Sequence, residues 1–136
     1  MKWLLLLPLS IIVPAAQACD CAGQSLSEAR KYNDIVFRGT ITELRDRKIY
    51  FQVQRVWKGK LTRKFAMDDL RETTACLGFW PDHVKLGSDL VVFARWLPEG
   101  DPNGGYFTDI CTRTALAKDA AGDLKLLGRG FAPRKN

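Results

Sequence analysis

The chain lacks the sequence signals of several large protein classes. It contains a single histidine, and it has no glycine-rich phosphate-binding loop, no tandem zinc motif and no internal repeat. Its longest apolar run covers eleven residues, Trp3–Val13, and is broken only by Pro8 and Ser10. A transmembrane helix needs roughly 20 apolar residues. We therefore expect no transmembrane segment, nucleotide site or zinc finger.

The sequence also offers little for catalysis. The single histidine, His83, follows Trp80-Pro81-Asp82 in a predicted loop, with no nucleophilic serine or cysteine beside it. Asp68 and Asp69 are adjacent, and adjacent strand residues point to opposite faces, so we interpret them as a solvated turn. We expect a protein that is not an enzyme and uses no cofactor.

The first 18 residues have the order of a secretory signal peptide. A basic start at Lys2 precedes the apolar run, and small residues end it at Ala16-Gln17-Ala18. Cleavage after Ala18 makes Cys19 the first residue of the mature protein. The sequence therefore predicts a secreted or periplasmic protein with a free α-amine on a cysteine.

Lipid anchoring through Cys19 is the alternative interpretation of this N-terminus. A lipid-attachment site usually has a larger aliphatic residue three places before the cysteine and a small residue two places before it. Ala16 and Gln17 occupy those places here. Lipidation would also consume one thiol and leave three cysteines, an odd number in an oxidising compartment.

Four cysteines remain after cleavage, at positions 19, 21, 76 and 111. In an exported protein an even set predicts two disulfides. A Cys19–Cys21 bridge would close a very small ring against strict disulfide geometry, which leaves two pairings open. Both pairings attach the N-terminus to two distant parts of the chain. A four-cysteine metal site is the competing interpretation, but the paired C-x2-C spacing of structural zinc sites is absent.

Local patterns predict a mainly β domain. Ser25-Leu26-Ser27-Glu28 fits a capping box for a helix that ends near Tyr32. Alternating or β-branched apolar patterns predict five strands, at residues 35–44 (with a bend or bulge at Gly39), 48–57, 62–67, 89–96 and 106–111. Residues 71–80 are predicted as a loop, and residues 114–127 as helical with an interruption at Gly122.

Five short curved strands with small helices favour an OB-type Greek-key barrel. We therefore predict a mainly β fold with short flanking helices and two disulfides. The domain spans residues 19–128, and residues 129–136 form a loose basic tail. Tyr50, Trp57 and Trp96 could stack nucleic-acid bases on such a barrel, but the signal peptide argues against nucleic acid as a partner. The formal net charge of +6 suits acidic glycans or acidic proteins instead.

Several segments together resemble a known family. They are Cys19-Asp20-Cys21 at the mature terminus, residues 34–40 (DIVFRGT), residues 56–59 (VWKG), the Cys76 loop, residues 90–94 (LVVFA) and residues 111–114 (CTRT). The chain is similar in these features to the tissue inhibitors of metalloproteinases (TIMPs) and the wider netrin-like (NTR) module. The resemblance covers nearly all of residues 19–116, and its specific part is the terminal Cys-x-Cys with the later cysteines in this order.

The resemblance implies the OB-type barrel, the bridges Cys19–Cys76 and Cys21–Cys111, and a metalloprotease inhibitor. In such inhibitors the α-amine and carbonyl oxygen of the first cysteine chelate the catalytic zinc of the protease, so the inhibitor holds no metal of its own. The protease-contacting positions carried over are Asp20, Thr73, Thr74 and Ala75. The alternative function is a non-inhibitory netrin-like module that binds extracellular glycans or partner proteins.

Asp20 departs from the family pattern, in which a small neutral residue follows the first cysteine. Burying an unpaired carboxylate in an apolar pocket costs several kcal/mol or forces its protonation. Asp20 therefore predicts weak inhibition of the usual targets, or a target protease with a basic pocket.

Overall fold

A curled antiparallel sheet forms the body of the protein, in a computed structural model that describes residues 19–71, 76–98 and 105–136. The predicted signal peptide, residues 1–18, and the predicted contact residues Thr73, Thr74 and Ala75 lie outside the described residues. The strands are β1 (Ile35–Arg45), β2 (Lys48–Lys58), β3 (Lys64–Asp68), β4 (Asp89–Leu97), β5 (Gly105–Phe107) and β6 (Ala115–Leu116). The helices are α1 (Leu26–Tyr32) and α2 (Ala121–Leu127), with short 3-10 turns at Pro81–His83 and Ala117–Asp119.

The sheet has the strand order β3-β2-β1-β4-β5, with β6 paired to β4. Its curl comes in part from β1, where the pairing with β2 shifts register between Arg38 and Gly39, at the predicted bulge. The curl brings the two outer strands together. The rings of Phe65 in β3 and Tyr106 in β5 lie 5.6 Å apart. The predicted mainly β class is confirmed, as a half-barrel of five antiparallel strands.

Two apolar clusters cover the two faces of the central strands. The inner face of the half-barrel is filled by large side chains such as Phe37, Phe51 and Val92. On the outer face, Val91 and Phe93 pack with residues of α1, the second 3-10 turn and α2. Because β4 is buried on both faces, residues 90–94 are a continuous apolar run rather than an alternating one. This explains why the sequence predicts a strand over residues 89–96.

The start of α1 follows the predicted capping box. The Ser25 hydroxyl accepts a hydrogen bond from the Glu28 backbone N–H at 3.2 Å, and the Ser25 N–H donates to the Glu28 carboxylate at 2.8 Å. The bond from the Ser25 backbone is the main reason that the pKa of Glu28 lies below its ordinary value. The cap fixes the point at which the N-terminal segment ends and the helix begins.

Two predictions for the C-terminal third were wrong in extent. The last predicted strand, residues 106–111, ends at Phe107, after which the chain turns. The segment predicted as helical from Thr114 begins instead with β6, which pairs with Leu90 and Val91 of β4. The helix α2 then runs through Gly122 without interruption. Pairing with a strand distant in sequence overrides local helix propensity at Ala115 and Leu116.

The C-terminal tail is docked rather than loose. The backbones of Val56 and Phe131 exchange two hydrogen bonds, of 2.8 and 2.9 Å. Arg134 donates to the Leu61 carbonyl and accepts from the Arg63 N–H. Gly130 has a φ of 64°, and a Cβ there would stand 2.8 Å from the indole nitrogen of Trp57. Glycine at this position therefore allows the tail to pass close to the sheet.

We predict that hydrogen exchange will show this docking. The amide hydrogens of Val56, Arg63, Phe131 and Arg134 should exchange slowly, because each donates to a carbonyl across the tail contact. The amide of Lys60, for which the described chain records no hydrogen bond, serves as the fast-exchanging reference. Exchange of Phe131 and Arg134 at the rate of Lys60 would show that the tail is loose.

Candidate functional site

The N-terminal segment is attached to the domain by two disulfides. Cys19 is bonded to Cys76 and Cys21 to Cys111, with Cα–Cα distances of 5.7 and 5.0 Å. The pairing implied by the family resemblance is therefore confirmed. All four cysteines are used, so no thiol is left for a four-cysteine metal site or for lipid attachment at Cys19.

The two bridges meet the domain at neighbouring points. The Gly78 N–H donates to the Thr108 carbonyl at 2.8 Å, and the Ile110 N–H donates to the Cys76 carbonyl at 3.1 Å. Cys76 therefore lies beside Ile110, one residue from Cys111. Residues 19–21 cross this pair of segments and are bonded to each. We call residues 19–21, 76–78 and 108–111 together the disulfide ridge.

Two buried threonines hold the Cys111 side of the ridge on β4. The Thr108 hydroxyl donates to the Phe93 carbonyl at 2.8 Å, and the Phe93 N–H donates to the Thr114 hydroxyl at 2.9 Å. The two hydroxyls also lie 2.9 Å apart and form a hydrogen bond. Both side chains are almost fully buried. The loop that carries Cys111 is thus tied at both ends to one residue of the central strand.

Charged side chains join the ridge to its surroundings. Asp109 accepts from the Cys111 N–H at 2.9 Å and from the Arg95 guanidinium at 3.1 Å. Arg113 forms two hydrogen bonds to Asp123 of α2, at 2.7 and 2.6 Å, and a third to the Gln24 carbonyl at 2.7 Å. The bond to Asp123 is the main cause that raises the pKa of Arg113. Arg113 therefore connects the segment after Cys21 to α2.

Sequence reasoning did not single out Thr108 or Asp109, and it included Arg113 and Thr114 only in the segment 111–114 (CTRT), without a structural role. A signal was present, because three threonines occur within residues 108–114, next to a cysteine. A segment so rich in hydroxyl groups beside a predicted bridge indicates local hydrogen bonding to the backbone. What the sequence could not show was the acceptor, which lies on β4.

The structure places two of the predicted contact residues. Cys19 is partly buried at the ridge, whereas Asp20 is exposed. Within the described part of the chain, the Asp20 carboxylate has no hydrogen bond or ion pair. The ridge thus presents residue 20 to solvent between two covalently fixed neighbours.

The two adjacent carboxylates considered for catalysis, Asp68 and Asp69, are each engaged by a cation. Asp68 pairs with Lys48 at 2.5 Å and Asp69 with Arg71 at 2.7 Å, so the solvated turn predicted for them was wrong. Both carboxylates are largely buried. The hydrogen bond from Arg71 is the main reason that the pKa of Asp69 is lowered. Each carboxylate is held by its own cation, in two separate ion pairs.

His83 and the three aromatic residues considered for base stacking are dispersed. His83 ends a 3-10 turn and is half-buried rather than exposed. Trp57 is buried under α2, and its indole N–H donates to the Gly128 carbonyl at 3.0 Å. Trp96 packs edge-on against Tyr106, with ring centroids 5.1 Å apart. Trp57 is therefore not available to stack on a base.

Two comparisons, with protein families and with curated proteins, found no match. The helices of the described residues are too short and too polar to cross a bilayer.

We predict that Thr114→Val will destabilise the domain by about 1–3 kcal/mol, because it leaves the buried Phe93 N–H without an acceptor. Denaturant unfolding of the oxidised protein measures the change. Thr42→Val is the matched control, since Thr42 is an exposed β1 threonine whose loss should cost less than about 0.5 kcal/mol. Equal effects of the two substitutions would contradict a special role for Thr114.

Proposed function

We propose that the mature protein is an exported, TIMP-like inhibitor of zinc metalloproteases. The observation that carries the proposal is the double attachment of the first three mature residues to neighbouring points of the disulfide ridge. Chain termini are usually the loosest part of a domain. Holding this terminus with two covalent bonds suits a protein whose N-terminal residue is its working part.

The inhibitory chemistry follows from the atoms of Cys19. A catalytic zinc in a protease keeps one coordination position for the water that attacks the substrate. After removal of residues 1–18, the α-amine and carbonyl oxygen of Cys19 are two donors on one residue that can displace this water. A free α-amine has a pKa of roughly 8, so its deprotonation near neutral pH costs little.

The bridges supply rigidity before binding. They span 57 and 90 residues of sequence, and closing loops of such lengths restricts the unfolded chain by about 4–5 kcal/mol per bridge at most. Within the folded state they fix the backbone on both sides of Asp20. An inhibitor that is already ordered loses less conformational entropy when it enters a protease cleft.

Asp20 then determines which proteases are accepted. It follows the chelating residue and faces solvent, so it would enter the protease specificity pocket first. In an apolar pocket its carboxylate loses water without gaining a partner. A pocket that contains lysine or arginine would give it an ion pair. We therefore propose a target with a basic specificity pocket.

The first test of the proposal is to place one alanine before Cys19. The added residue converts the α-amine into an amide nitrogen, which is a poor zinc ligand, and it also obstructs the cleft. We expect inhibition across a panel of zinc metalloproteases to fall at least about 100-fold, while thermal unfolding and the mass deficit of two disulfides stay unchanged. The matched control carries its extra alanine at the C-terminal end.

Two outcomes would contradict the inhibitor proposal. Equal inhibition by the N-terminally extended protein would show that Cys19 does not chelate zinc. Failure of the mature protein to inhibit any protease of the panel would favour the alternative, a non-inhibitory netrin-like module for glycans or partner proteins.

A second substitution tests the role of Asp20. Asp20→Ala should strengthen inhibition of proteases with apolar pockets by about 10- to 100-fold, because no carboxylate has to be desolvated. It should weaken inhibition of proteases with basic pockets. Asp119→Ala removes another exposed carboxylate and makes the same change in net charge, so it should leave both inhibition constants within about threefold. Equal inhibition by the Asp20 variant and the mature protein would place residue 20 outside the pocket.

A further inference from the structure

The docked tail brings two basic segments together at one end of the half-barrel. The tail follows the connection between β2 and β3, where the Arg134 carbonyl accepts from the Arg63 N–H at 3.0 Å. The Lys64 N–H donates to the Asn136 side chain at 3.1 Å. Six exposed cations lie along these segments, and we call them the tail surface: Lys60, Arg63, Lys64, Arg129, Arg134 and Lys135.

The two segments of the tail surface contain no acidic side chain. Residues 60–64 and 128–136 contain no aspartate or glutamate. Within the described chain, none of the six cations takes part in an ion pair, whereas Arg38, Arg95 and Arg113 each have an acidic partner. The six charges equal the formal net charge of +6 of the full sequence; without Lys2, residues 19–136 carry +5, so their other charges sum to −1.

An aromatic ring is held in solvent on the same tail. Phe131 lies between Arg129 and Arg134 in the sequence, and 73% of its surface is exposed. Its backbone is fixed by the two hydrogen bonds to Val56. The docked backbone therefore keeps the ring outside the core. An aromatic side chain beside clustered lysine and arginine is a combination that segments lying in a membrane interface use.

We propose that the tail surface binds anionic lipid bilayers, with its cations at the lipid headgroups and the Phe131 ring in the interfacial apolar zone. Membranes with negative lipids attract clustered lysine and arginine, and aromatic or aliphatic side chains add insertion energy. A soluble acidic polysaccharide would satisfy the cations but would give the ring no apolar surroundings. The combination of both features favours the bilayer.

This binding is independent of the inhibitor proposal. The tail surface is built from the β2–β3 connection and residues 129–136, whereas the disulfide ridge uses residues 19–21, 76–78 and 108–111.

Vesicle sedimentation with the mature protein tests the electrostatic part. We expect the protein to sediment with vesicles that contain phosphatidylglycerol, to stay in solution with phosphatidylcholine alone, and to be released by added salt. Lys60→Glu with Arg63→Glu should weaken binding at least about 30-fold, because each cation near an anionic surface contributes about fivefold. Lys85→Glu with Lys118→Glu makes the same charge change elsewhere and should reduce binding several-fold less.

Substitutions of Phe131 test insertion. Phe131→Ala should weaken vesicle binding by about 10-fold while thermal unfolding stays unchanged, since residue 131 is held to Val56 by its backbone and its ring is exposed. In Phe131→Trp, the fluorescence added by the new tryptophan should shift to shorter wavelength with anionic vesicles and stay unshifted with dextran sulfate. Failure to bind anionic vesicles, equal binding to neutral ones, an unshifted tryptophan, or binding to dextran sulfate alone would each overturn the proposal.

Discussion

The backbone contact between residues 76–78 and 108–110 determines where residues 19–21 lie. It places Cys76 beside Ile110, the residue before Cys111. Cys19 and Cys21, which are separated only by Asp20, can therefore reach both. The contact itself depends on Phe93, whose carbonyl and N–H bind the hydroxyls of Thr108 and Thr114. The positions of the two disulfides therefore depend on the ordered backbone of the central strand, β4. The loop that carries Cys111 is not held by its disulfide alone, because hydrogen bonds also anchor it to the sheet.

The central strands pack against two different layers because both of their faces are buried. The inner face packs the half-barrel, and the outer face packs α1 and α2. The outer layer of helices determines the path of the chain at both ends of the described residues. Through α1 it fixes the point where the N-terminal segment leaves the ridge. Through α2, Trp57 and Gly128 it directs the tail back along the β2–β3 connection. Substitutions in the outer cluster should therefore affect the ridge and the tail together.

The features that could be predicted from the sequence are those with a local cause. A capping box needs four consecutive residues, a bulge is marked by a glycine in an apolar strand, and a doubly buried strand is a continuous apolar run. The disulfide pairing needed the family resemblance, because spacing alone left two pairings open. The wrong predictions for the tail and for the start of the C-terminal helical segment have a different cause. The docking of Arg134 beside Arg63 and the pairing of Ala115 with Val91 join residues far apart in the sequence, so no local pattern indicates either contact. The tail surface could not be predicted for the same reason, since its two segments are separated by about 65 residues of chain.

If residue 19 chelates zinc as proposed, the geometry of chelation requires two bridges rather than one. A single disulfide at Cys19 would fix its position and leave the following backbone free to rotate about that point. The second disulfide, at Cys21, fixes the direction of the chain as well. A partner that contacts only side chains gains little from a fixed backbone direction, because side-chain rotamers can adjust. A metal ion bound by the amine and the carbonyl oxygen of one residue requires both atoms in one plane with the ion. A fixed direction is therefore worth more to a zinc-chelating terminus than to a general binding surface, and this difference is why the double attachment supports the inhibitor over the non-inhibitory module.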